Sequence, residues 1–255
     1  MPFVPVAPEK ISRSVVRQIE QLILRGILRP GERLPSERDM AERLEVSRPS
    51  LRDAISDLAA RGLLSIRAGS GVFVADVLGA AFSPALTELF STHDEAVIDY
   101  IAFRRDIEGL AADRAARLGS ETDLRVIGTI FAKMEDAHQK RDPSDEARLD
   151  AEFHLAVIEA SHNVIMLHMM RSIFELLRQG VFYNRQVMFR NRITREQLLG
   201  QHRAINAAIQ ARDPAAARSA AILHLDYVEA AYTDQLRAEK HEAIAKRRLE
   251  HEVSR

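Results

Sequence analysis

The chain has 255 residues, a formal net charge of −1, 46% apolar and 29% charged residues, and neither cysteine nor tryptophan. This excludes a disordered chain, disulfides and thiolate metal sites, and fits two modest domains in a reducing cytosol. MPFVPVAPEK lacks a basic-then-apolar leader pattern, and no run approaches ~18 uninterrupted apolar residues, so a cytoplasmic protein without a membrane partner is expected.

The near-zero charge gives the whole molecule no pull toward nucleic acid. Phosphate contacts need only a local cluster of cations, however, and Arg48, Arg52 and Arg67 supply one.

Residues 11–26 carry Val16, Ile19, Leu22 and Ile23 at the spacing of a one-faced helix, which Pro30-Gly31 ends. Ser36 after Pro35 predicts the N-cap of a second helix, with Met40, Ala41 and Leu44 as its inner stripe. Ser47 predicts the cap of a third, where Pro49 is tolerated because first-turn amides lack intrahelical partners. Leu51, Ala54, Ile55 and Leu58 face inward, and Gly62 suits the position just past the helix end. Only a few residues around Glu45-Val46 separate these helices, the spacing of a helix-turn-helix. Residues 64–67 and 72–74 read as two short strands joined by a slim tip at Ala68-Gly69-Ser70-Gly71.

With Leu51, Ile55 and Leu58 buried, Arg48 and Arg52 fall one turn apart on the exposed face, in the half of the helix that meets base edges in this motif. Ser47 and Ser50 can donate to phosphate from the same helix end, and Arg38 can reach phosphate or base across the groove. The bland alternative is surface pairing of these arginines with Asp53, Asp57 or Glu45. LRPGERLPSERDMAERLEVSRPSLRDAISDLAARGLL resembles the amino-terminal domain of the GntR family of bacterial transcription regulators. SRPSLRDA is similar to the FadR subfamily, in the branch of pyruvate-dehydrogenase, glycolate and lactate regulators. The resemblance implies double-stranded operator DNA as partner, with Arg38, Ser47, Arg48, Ser50, Arg52 and Gly69 as contacts; Ala68 stands where some relatives carry a polar wing residue.

The expected division is a winged helix-turn-helix over 1–76, a linker over 77–90, a helical domain over 91–238 and a polar tail over 239–255. Helix-period segments follow the linker at 94–118, 121–140, 144–160, 164–191, 195–211 and 214–238, with no alternating strand pattern. The fold class is mainly α: a winged helix-turn-helix followed by an all-helical antiparallel bundle, whose ligand sites are expected between facing helices. The end of the chain reads as an exposed or frayed helix.

Asp150 and His154 are four apart and share a face with Ile158; His202 shares one with Leu198, Ile205 and Ile209; His224 shares one with Ala217, Ala220 and Val228. Three histidines and a carboxylate thus point inward from three helices, a donor set suited to zinc, nickel or a similar divalent ion. An inward histidine can equally be a satisfied core residue, and His138, His162 and His168 carry only surface or packing roles. RLDAEFHLAVIEASHN and QHRAINAAIQARDPAAARSAAILHL resemble the metal-binding variant of the FCD ligand-binding domain. That resemblance implies Asp150, His154, His202 and His224 as ligands of a divalent metal, zinc first, with nickel and manganese as the other candidates.

The resemblance also points to Arg104 or Arg105 as a pocket cation for a small carboxylate effector, and periodicity favours Arg104; a salt bridge from Arg104 to Glu108 is the competing reading. Asn184 and Arg185 are further pocket candidates that can equally face solvent. The expected function is a homodimeric, ligand-responsive repressor of carboxylic-acid metabolism genes rather than an enzyme. Two alternatives are a metal-dependent hydrolase fused to a DNA-binding head and a regulator with a purely structural metal. Against the hydrolase, Asp150 is already a ligand, and Glu152 and Glu159 point to other faces of their helix.

Overall fold

The computed structural model describes residues 11–75, 84–140, 143–178 and 192–254. The chain divides into two compact units, Met1–Ala81 and Phe82–Arg255.

The first unit is built on α1 (Ile11–Leu24), α2 (Glu37–Arg43), α3 (Arg48–Ala60) and the hairpin β1 (Leu64–Arg67) and β2 (Gly71–Val74). Val15, Val16, Ile19 and Ile23 of α1 meet Met40 and Ala41 of α2, Leu51, Ala54, Ile55 and Leu58 of α3, and Leu64, Val72 and Val74 of the hairpin in one core. The caps are local chemistry: Ser36 Oγ accepts from the Asp39 amide and Ser47 Oγ from the Ser50 amide, each at 3.2 Å. Between α2 and α3 the chain reverses through Glu45 at φ 53°, a left-handed conformation uncommon for a side chain of this size. Arg33 bridges to Phe73 and so adds a third edge to the hairpin.

The second unit is helical throughout its described residues: α4 (Pro84–Thr92), α5 (Asp94–Leu118), α6 (Glu121–Lys140), α7 (Pro143–Ala160), α8 (Val164–Arg178), α9 (Arg192–Gln210) and α10 (Pro214–Val253). Ser120 and Asp123 form a reciprocal box at the start of α6, the Ser120 amide donating to Asp123 Oδ2 at 2.8 Å and the Asp123 amide to Ser120 Oγ at 3.2 Å. Ile101, Ala111, Ile127, Phe153, Ile158, Met170, Ile205, Ile209 and Leu225 fill the bundle core.

Part of the expected 77–90 linker is helix α4. The end of the chain, read as an exposed or frayed helix, continues α10 to Val253 and is exposed from Arg237 onward. On α5, Leu110 falls outside the buried stripe and is 40% exposed. The expected helix 164–191 is α8 as far as Arg178, and its remainder lies outside the described residues. No described helix is long and apolar enough to cross a membrane.

Candidate metal centre and nucleic-acid interface

The apolar stripe of α3 turns Arg48 and Arg52 outward, and Arg38 on α2, Ser47 and Gly69 at the wing tip are likewise exposed. Ser47 and Ser50 hydroxyl oxygens lie 2.9 Å apart at the start of α3. Arg52 is engaged: its Nε donates to Glu37 Oε2 at 2.7 Å, with the two side chains 62% and 32% exposed. The pairing partner is therefore on α2, not among Asp53, Asp57 or Glu45.

In the bundle, the helix faces read from periodicity bring Asp150 and His154 of α7, His202 of α9 and His224 of α10 together, all buried. One donor atom from each lies within 4.8 Å of every other. His202 Nε2 is 3.1 Å from Asp150 Oδ1 and 3.2 Å from His154 Nε2, and His154 Nε2 is 3.7 Å from the same carboxylate oxygen. Donors around a tetrahedral zinc at ordinary bond lengths stand about 3.3 Å apart, so the residues present fit such an ion. Two imidazole nitrogens facing each other can share one proton at most, which also suits a common cation between them. Phe153 closes one side, its ring centroid 5.3 Å from that of His202 and 5.9 Å from that of His154, both edge-on.

Two of the outward ring nitrogens face acceptors, while His202 Nδ1 is buried with no hydrogen-bond partner among the described residues. His154 Nδ1 lies 2.5 Å from Glu108 Oε2, and His224 Nδ1 lies 3.0 Å from Gln201 Oε1. Such acceptors fix the tautomer and aim the remaining nitrogen inward. Glu108 Oε1 in turn accepts from Arg104 Nε at 2.5 Å. Arg104 is 1% exposed, its Cζ 5.2 Å from the Phe174 ring centroid and 5.7 Å from that of Tyr100.

Electrostatics divides the histidines. Burial lowers the pKa of His202 and pushes that of His224 well below the ordinary value. Burial acts the same way on His154, but the charges of Glu108 and Asp150 outweigh it and its pKa is raised. For Glu108, burial favours the neutral acid, yet Arg104 and His154 prevail and hold it at about 2. The result is an anionic collar around His154, beside two imidazoles held neutral.

The description "Bacterial regulatory proteins, gntR family" matches residues 11–74, and the FCD domain matches residues 99–227. The chain belongs to the gntR family and carries an FCD domain. This gntR family member is 34% identical over 227 residues to an Escherichia coli (strain K12) protein whose name describes an L-lactate dehydrogenase operon regulatory protein, covering 88% of the chain and 86% of the relative. It is 33% identical over 222 residues to the Glc operon transcriptional activator of the same organism, covering 86% and 87%, and 30% identical over 209 residues to the transcriptional regulator LutR of Bacillus subtilis (strain 168), covering 82% and 94%. A solved GntR structure from Streptococcus agalactiae superposes with a TM-score of 0.52 at 25% identity, covering 86% of this chain and 98% of that one. The protein is a DNA-binding transcription regulator, not an enzyme.

Other candidate residues of this gntR family regulator fall elsewhere. Arg105 turns to the bundle surface, donating to Asp226 Oδ1 at 3.0 Å and Glu229 Oε2 at 3.3 Å on α10. Asn184 and Arg185 lie outside the described residues. Glu152 pairs with Arg148 and Glu159 with Arg171, away from the histidines. Sequence reasoning weighed Glu108 only as a partner of Arg104 and missed its grip on His154. It also missed Arg195, which is paired with Glu146 and lines a narrow cleft with Met134, His138, Leu199 and His202. Its spacing of two helical turns from His202 was the available signal.

Proposed function

We propose that the protein acts as a homodimeric repressor on a pseudo-palindromic operator, and that a short hydroxy- or keto-acid bound in the FCD domain changes its hold on DNA. Two copies would present two α3 helices one or more helical turns apart. Arg48 and Arg52 would read base edges; Arg38, Ser47 and Ser50 would hold phosphate or base, and Gly69 would let the wing tip approach the minor groove. Asp150, His154, His202 and His224 would hold the divalent metal, with zinc favoured by the nitrogen-rich donor set and nickel or manganese as alternatives. When bound, the ion supplies a Lewis-acidic centre that an α-oxygenated carboxylate can chelate.

Arg104 would engage the acid from the next layer of side chains, whereas Arg105 is held at the bundle surface by Asp226 and Glu229. The observation that carries the reading is the convergence of three imidazoles and one carboxylate from three helices, with Arg104 linked to it through Glu108. The names of the E. coli and B. subtilis relatives support regulation, and the L-lactate operon in one of them favours a small hydroxy acid. An effector can shift DNA affinity only by as much as it prefers one state of the protein over the other.

The test is a gel shift on a duplex enriched from a randomised pool, with glycolate, L-lactate and pyruvate added in turn. Release by one of them, blunted in Arg104→Met, supports the proposal; indifference to all three sinks effector control by such acids. A reporter strain lacking the protein should gain transcription if it represses and lose it if it activates. A second reading, a purely structural metal, is favoured by the closed set of four buried protein donors. Metal-dependent melting without acid-dependent release would select it.

A further inference from the structure

Strand β2 is paired on both sides. On one, Arg67 stands opposite Gly71 and Ser65 opposite Phe73. On the other, Arg33 bridges to Phe73, fastened by the Leu34 amide to the Val72 carbonyl and the Val74 amide to the Glu32 carbonyl, both at 2.9 Å. Residues opposite one another project from the same face of a sheet, and alternate residues along a strand share a face. Ser65, Arg67, Gly71, Phe73 and Arg33 therefore line one face of the wing. Leu64, Val72 and Val74 are buried on the other, so the arginine face is the outer one.

The two guanidinium groups approach the same strip from opposite sides. Arg33 folds over Gly71, with Nε 3.2 Å and Nη2 3.5 Å from where a Cβ would stand. Arg67 leans the other way, its Cζ 4.3 Å from the Phe73 ring centroid. Gly71 has φ 108°, a conformation that side-chain-bearing residues rarely adopt, and its missing side chain is what leaves Arg33 its place. Both arginines are exposed, and neither has a carboxylate partner among the described residues, whereas Arg52 and Arg61 of the same unit are paired. Like charges on one face of so small a sheet oppose its folding, and a bound anion removes that cost.

We propose that Arg33 and Arg67, floored by Phe73 and opened by Gly71, form a cradle for a backbone phosphate of duplex DNA. The inference rests on the DNA-binding reading of the amino-terminal unit and adds to it a second point of grip apart from α3. Guanidinium forks bind phosphate through paired, charge-assisted hydrogen bonds. A phosphate contact carries no base identity, so the cradle contributes affinity and register, while α3 contributes choice of sequence.

The experiment measures binding of the full-length protein to a random-sequence duplex and to the pool-enriched duplex, each of about 30 base pairs, between about 50 and 200 mM salt. The Arg33→Ala/Arg67→Ala double variant should weaken both duplexes by the same factor and flatten the slope of log affinity against log salt by about 0.9, one phosphate's worth, and each single variant should do so in part. Arg33→Lys should keep most of the slope. Arg48→Ala should instead erase the preference for the enriched duplex. Circular dichroism verifies that each variant is folded. If the Arg33→Ala/Arg67→Ala double variant keeps the wild-type slope while Arg48→Ala is defective, the cradle is rejected and the α3 reading stands. If the double variant loses sequence preference rather than slope, the contact is to a base and the proposal also fails. If Arg48→Ala has no effect either, the reading of α3 fails as well.

Discussion

Glu108 sets a carboxylate oxygen 2.5 Å from Nδ1 of His154 while its other oxygen takes the Nε proton of Arg104 at 2.5 Å. One side chain thus joins a candidate metal ligand to a candidate effector cation. Replacing Glu108 with Gln removes the charge that steadies the His154 ring and that faces the buried Arg104 guanidinium. Loss of such an outer partner typically costs about 10–100-fold in metal affinity, and breaking a buried ion pair about 3–5 kcal/mol of stability. Competition with a fluorescent zinc chelator and urea unfolding measure the two separately. Unchanged zinc affinity in folded Glu108→Gln would remove Glu108 from the metal-binding role.

Without metal, acid and alkali should erode stability through different residues. Burial holds His202 below, and His224 well below, the ordinary histidine value of 6.5, so below that pH the unfolded chain takes up protons that the folded chain refuses, and stability falls. Glu108 titrates at about 2 rather than 4.5, so its stabilisation is present above 4.5 and lost between there and 2. His154 has a raised pKa; its stabilisation is complete below 6.5 and lost as pH climbs through the elevated value. In chelator, stability should therefore peak near pH 6.5, and zinc should abolish the alkaline decline because a ligated His154 is already neutral. Urea titrations across this range, with and without zinc, check it; a steady rise to high pH in chelator would contradict it.

Arg52 should be a restrained DNA contact, since binding must first release it from Glu37. Glu37→Gln is expected to tighten DNA binding by about 2–5-fold, the worth of a partly exposed ion pair of roughly 0.5–1 kcal/mol. Arg48→Ala, with no such partner among the described residues to release, should cost about 1–3 kcal/mol on the enriched duplex. Fluorescence anisotropy at fixed salt distinguishes the two, and weaker binding by Glu37→Gln would show that the pair supports the bound geometry.

The extension of α10 beyond Ala238 is exposed along its whole described length. Deleting 239–255 should alter the unfolding free energy by less than about 0.5 kcal/mol while lowering the helical circular dichroism signal. A larger loss would reveal a contact made by this segment in solution.

What the sequence revealed depended on how local the physics was. Ser36 and Ser47 cap their helices through amides three residues away, and Asp150 and His154 share a face by helical spacing alone. These features could be read without knowing the packing. Glu108 could not be placed on His154 until α5 met α7, and nothing in the spacing of Arg33 foretells that it crosses to Gly71. The segment of α4 reads as part of a connector because nine residues are too few to display a helical period against the weakly patterned stretch before them.

His224 sits early in α10, and 29 residues of unbroken helix separate it from Val253. At 1.5 Å per residue that stretch is about 44 Å long. It converts angle into distance: a swing of only about 5° pivoted at the imidazole sweeps the far tip through about 4 Å.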